Sequence, residues 1–224
     1  MAKYYLYISD QKVDMLLPQI PTKIKHKLSA EFGVDVGVFK ARLQSERIAY
    51  EDRVHRLAVV ERHIRSGDLG TLDNPKAWIS DTAAASLGNF VENDKLVFFI
   101  GRSGKSNFVL GGSVAHLISR DPATDVSVGW SYIQDLLETL ESTIANGADL
   151  ALSEHDLVSS LSLGVGHPDS PSPWYNVIEV VQQRVRGPAI KIEFLAKRLA
   201  VGEASSRDGR LPILASPLYV AMAD

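Results

Sequence analysis

The residue types that most suggest chemistry in this 224-residue chain lie in "FFIGRSGKSNFVLGGS", residues 98–113. Gly104-Lys105-Ser106 behind Gly101 has the look of a phosphate-binding P-loop. Such a loop needs four residues between its glycine and its Gly-Lys-Ser/Thr, with a helix directly after it, so that backbone N–H groups can wrap a phosphate. Here only Arg102 and Ser103 intervene, and "SNFVLGG" is β-prone. The spacing predicts a hairpin turn instead, with Ser-Gly supplying the turn conformation and Lys105 in solvent.

The second half of the stretch carries more. Gly111 and Gly112 between a strand and a following helix would let backbone approach a ligand closely. Ser113 would cap that helix, and His116 would lie one turn on. A second candidate wall is "YISDQK", where Ser9, Asp10 and Lys12 stand at the carboxyl end of a first strand, the usual place for ligands in α/β sheets. With Arg102 as a further cation, these residues predict a site for a small anion or nucleotide. Gly111, Gly112, Ser113 and His116 would face Ser9, Asp10 or Lys12. The alternative is two ordinary helix starts, and the separation of Ser113 from Asp10 decides between them. If the strands run antiparallel, the two turns are expected at opposite ends of the sheet.

Other chemistries are poorly supported. There are no cysteines, which excludes disulfides, thiol catalysis and iron–sulfur clusters. The six histidines show no HExxH spacing and no zinc-like cluster, and His55 and His63 are expected to be solvated. No GxSxG elbow is present. "GHPDSPSPWYN" places His167, Asp169, Trp174 and Tyr175 in one loop that could cover a pocket. No cofactor is expected. A net charge of −3 gives no global pull toward duplex nucleic acid or an anionic membrane. The early charges of "MAKYYLYISDQ" do not fit a signal peptide, and no apolar run is long enough to span a bilayer. The expectation is a cytoplasmic protein without a membrane partner, with self-association left open.

The elements that must position these residues follow from periodicity. "KYYLYIS" reads as a strand, followed by a helix near Val13 that Pro18 and Pro21 interrupt. "TKIKHKLSAEF" is helical and "GVDVGVFKARL" alternates as a strand. Residues 45–66 form an amphipathic helix with Gly67 as its stop. Residues 77–112 make an antiparallel meander, and "SVAHLIS" a short helix. "VGWSYIQDLLETLESTIANG" is the most regular helix of the chain. "IKIEFLAKRLAV" and "RLPILASPLYVAMA" form a C-terminal strand pair. The fold class is α/β or α+β: a single domain over residues 1–224, with a mixed β-sheet, an antiparallel meander and a C-terminal strand pair, flanked by helices.

"YYLYISDQKVDMLLPQIP", "LGGSVAHLI", "EFLAKRL" and "SPLYVAMAD" together resemble a family of uncharacterised bacterial proteins of about this length, found largely in actinomycetes. The resemblance spans nearly the whole chain and implies no catalytic residues. It implies only a loose association with signalling or defence. Three functions follow: a binder of a small anionic ligand or nucleotide; a metal-independent phosphodiesterase or other hydrolase with His116 as general acid/base and Lys12 or Arg102 stabilising charge; and a scaffold subunit.

Overall fold

The computed structural model describes residues 3–22, 46–90, 93–118, 187–202 and 209–224. The helix expected at 22–32 (apart from Thr22), the helix expected at 128–147, the strand expected at 33–43 and the aromatic loop at 162–175 fall outside them.

The strands are β1 (Tyr4–Ile8), β2 (Leu69–Gly70), β3 (Trp78–Phe90), β4 (Asn93–Ser103), β5 (Ser106–Ser113), β6 (Ala189–Val201) and β7 (Leu211–Met222). The helices are α1 (Asp10–Leu16) and α2 (Glu46–Arg65), with short 3-10 turns at Leu17–Gln19 and Val114–His116. The order is mixed α/β and rich in strand. The meander and the C-terminal pair both form: β3–β4, β4–β5 and β6–β7 are antiparallel.

The expected sheet flanked by helices gives way to a closed, barrel-like ring. β6 pairs with β3 on one edge and β7 on the other, and β7 pairs with β5 in parallel. The circuit β7–β5–β4–β3–β6–β7 therefore closes, which satisfies backbone groups that an open sheet would leave at its edges. Alternate residues fill the interior, as a barrel of this size requires: Ala83 and Ala85, Val97 and Phe99, Phe108 and Leu110, Ile192 and Phe194, Ile213 and Ala215 are all buried in one cluster. The Phe108 and Phe194 rings stack at 5.6 Å.

A second apolar cluster lies outside the ring, where Val13 of α1 and Leu57, Val60 and Ile64 of α2 cover Tyr5, Leu195, Tyr219 and Ala221. β7 is thus buried on both faces, which explains its near-continuous apolar sequence.

The β4–β5 connection is the expected two-residue hairpin. Ser103 pairs with Ser106, and Gly104 has a φ of 51°. No other residue of that turn has positive φ, so glycine occupies the first central position, as a II′ turn demands. Asp73 Oδ1 accepts from the Lys105 backbone N–H at 3.1 Å, which ties the preceding loop to this end of the barrel.

Candidate functional site at the junction of β1, β5 and β7

One edge of β7 is shared by two strands laid end to end. β5 pairs with Leu211–Ala215, and β1 pairs with Tyr219–Met222. β5 runs parallel to β7 and β1 antiparallel, so their carboxyl ends meet head-on at residues 216–218. Opposite strand directions, expected to separate the two turns, here bring them together. Pro217 sits in the gap between the two ladders, where a residue without an N–H leaves no donor unmatched. The carbonyls at the gap turn to other partners. Leu218 accepts from the Ser9 N–H at 2.8 Å, and Pro217 accepts from Lys12 Nζ at 3.2 Å.

Beyond β5 the chain makes a single 3-10 turn rather than the expected helix, and the Ser113 hydroxyl accepts from the Ala115 N–H at 3.3 Å. Leu117 then bridges Tyr7 on the far side of β1. This turn carries His116 to Asp10: His116 Nδ1 lies 3.8 Å from Asp10 Oδ2. Arg53, from α2, completes the group. Its Nε donates to Asp10 Oδ1 at 2.8 Å, and its terminal nitrogen to the Ile8 and His116 carbonyls at 2.7 and 3.3 Å.

Asp10, Lys12, Ser9 and His116 therefore share one polar cluster, with Ser113 beside it through the Tyr7 hydroxyl. Gly112 serves Tyr7 directly, since a Cβ there would lie 2.3 Å from the Tyr7 hydroxyl. Gly111 is buried in β5 opposite Phe98. Arg102 is not part of the cluster. It pairs with Asn107 at the hairpin end, six residues or about 20 Å along β5 from Ser113. His55 and His63 lie on α2, half-buried rather than solvated.

Sequence reasoning missed Arg53. Its signal was the spacing Arg53, Leu57, Val60, Ile64, which puts the arginine on the buried stripe of α2. The orientation of α2 is fixed by a network on β7's outer face. Lys3 Nζ meets Glu61 at 3.1 Å and Glu193 at 2.7 Å, and Arg65 Nε meets Glu61 at 2.8 Å. The Tyr219 hydroxyl bonds Lys3, Arg65 and Glu61.

The electrostatics of the cluster are uneven. Burial alone would raise the Asp10 carboxyl, but His116 and Arg53 beside it outweigh burial and hold it below its usual range. Burial likewise opposes ionisation of Glu61, and Arg65, Lys3 and the Tyr219 hydroxyl overcome it. Both carboxylates thus have folded pKa values below their unfolded ones, so their stabilisation is complete above the unfolded values of about 4 and is lost as pH falls through the lower folded values. The urea midpoint is expected to drop steeply below about pH 4, and less steeply in Asp10→Asn. An equal slope in that variant would show that Asp10 is not favoured as the anion.

Lys12 differs. Burial pushes its amine down to about 8. Its hydrogen-bond partners are the Ser9 hydroxyl, at 3.3 Å, and the Pro217 carbonyl, both neutral. Among the described residues no carboxylate faces it.

Among the described residues no three His, Asp or Glu side chains cluster as a metal set, and no helix is long and apolar enough to cross a membrane. A mixed barrel with a cationic cluster where two strands abut is the class that fold and site define. The chain belongs to DUF7019, a family of unknown function whose model matches residues 3–224. Neither a curated protein nor a solved structure matches it.

Proposed function

We propose that the protein is a one-domain cytoplasmic bacterial protein that binds a small anion, a phosphate- or carboxylate-bearing ligand such as a nucleotide, at the junction of β1, β5 and β7. The observation that carries this reading is the Lys12 ammonium, half-buried and held, among the described residues, only by neutral acceptors. A buried charge without a counter-ion is costly, and an arriving anion removes that cost. Asp10 does not cancel it, because Asp10 is already paired with the Arg53 guanidinium.

The ligand should stabilise the fold by mass action, by about 2.7 kcal/mol at a hundred times its dissociation constant. Thermal shifts with orthophosphate, mononucleotides, and cyclic and linear oligonucleotides test this. A rise in Tm with at least one anion, lost in Lys12→Gln, supports the reading. No shift with any of them overturns it.

A hydrolase is the second reading, favoured by the Asp10–His116 pair. A carboxylate beside an imidazole nitrogen can orient the ring and support it as general acid/base. Turnover of a phosphodiester panel that collapses in His116→Ala would replace binding by catalysis.

A further inference from the structure

Ser9 is in the N-cap position of α1, with extended backbone at φ −82° and ψ 91°. A serine there ordinarily closes the first turn with its side-chain oxygen. This one makes no capping bond. Its hydroxyl accepts from Lys12 Nζ at 3.3 Å and lies next to the Tyr7 hydroxyl. Tyr7 is 1% exposed, and the lack of a side chain at Gly112 makes room for its hydroxyl. Three proton-bearing atoms, Tyr7 Oη, Ser9 Oγ and Lys12 Nζ, thus lie side by side with the serine in the middle and hydrogen bonded to the lysine. The spacing Ser9-x-x-Lys12 at a helix start is what sets the serine and the lysine side by side.

We propose that Ser9 is the nucleophile of an acyl-transfer centre acting on small carboxylic esters, with Lys12 as its base and Tyr7 as a positioning residue. Ser9 Oγ attacks the ester carbonyl carbon, and its proton passes to the neutral Lys12 amine as the new C–O bond forms. Collapse of the tetrahedral intermediate breaks the original ester C–O bond. Lys12 returns the proton to the departing alkoxide, which leaves as the alcohol. Water then attacks the acyl-Ser9, again with Lys12 as base, releasing the carboxylic acid and restoring the serine. The lowered basicity of Lys12 supplies a neutral fraction at mildly alkaline pH. Ser9 is only 1% exposed, which limits the acyl group to a small one. Asp10, next in the chain with its side chain 33% exposed, marks the side open to solvent.

The test incubates the full chain with p-nitrophenyl acetate between pH 6 and 9.5, reading p-nitrophenol release and the acetyl adduct by peptide mapping. The adduct is expected on Ser9, with a rate that rises through about pH 8. Lys12→Arg, which keeps the charge but cannot deprotonate, should slow acylation about 100-fold or more. Tyr7→Phe should displace the pH–rate profile, which a merely structural tyrosine would leave in place. Peptide mapping of the unaltered chain locates the adduct even if a variant fails to fold. No adduct on Ser9 of the folded protein, or acetylation that Lys12→Arg leaves as fast, overturns the inference. Phosphate stabilisation without acylation sinks this inference alone. Acylation without any anion effect sinks only the anion-binding reading.

Discussion

Lys12→Met is expected to make the protein more stable at pH 7 while removing its response to anions. The Lys12 amine falls from 10.5 to about 8 on folding, so the fold disfavours its charged form. That penalty is present in full below about pH 8 and is relieved as pH rises toward the unfolded value of about 10.4. Two and a half pKa units correspond to roughly 3 kcal/mol. Methionine retains most of the apolar stem, and loses hydrogen bonds to Ser9 and Pro217 worth about 1 kcal/mol together. A net gain of about 1–2 kcal/mol at pH 7 remains, which crosses zero near pH 10 and becomes a loss of about 1 kcal/mol above it, where only the missing hydrogen bonds count. Urea denaturation at pH 6, 7 and 10 measures it. A variant less stable at pH 7 would mean that Lys12 stabilises the fold, and would remove the case that it is kept for a ligand.

Gly112→Ala is expected to act in the opposite direction. The new methyl would lie 2.3 Å from the Tyr7 hydroxyl and 2.8 Å from Cζ. The ring cannot step aside, because it is held edge-on against Phe99 and His116 at 6.2 and 5.8 Å. Overpacking of this kind costs about 3 kcal/mol. For a chain of this size that is a fall in Tm of roughly 6–12 °C. Tyr7→Phe in the same background removes the nearest atom and should recover part of the loss, giving a non-additive double-mutant cycle. Calorimetry on the four proteins decides it. A loss under about 1 kcal/mol would show that Tyr7 has room to move and does not hold Ser9 in place.

How much of this was legible depended on whether the contacts were local. The β4–β5 hairpin could be read because Gly104 and the alternating strands around it lie within a few residues of one another. The amphipathic stripe of α2 was visible for the same reason. Ring closure was not. It depends on pairings such as Ser86 with Ala189 and Phe108 with Ile213, which no local pattern encodes. The approach of Asp10 to His116 was expected only if their strands were suitably adjacent, and the end-to-end placement along β7 is a third possibility that periodicity does not distinguish. Arg53 stayed hidden among Arg56, Arg62 and Arg65, since a row of arginines on a helix usually signals a solvated face. Ser9 was expected only as part of a ligand wall; that it holds the N-cap position, and that its hydroxyl turns to Lys12 rather than to the helix, is not encoded in the local pattern.

The place of β7 also governs the order in which the molecule can assemble. It follows every other strand in the chain, yet it supplies an edge to β1, β5 and β6 alike. The hairpins of β3–β5 can form early from nearby residues, but the ring around their apolar inner face stays open until β7 joins β5 to β6. Tyr4 must then find Met222 across nearly the full length of the chain. The loop entropy of that search is lost before the barrel interior rewards it, which makes this a slow, late-closing topology. The junction that gathers Ser9, Lys12 and His116 is therefore created only in the last step of folding, by the same event that seals the core.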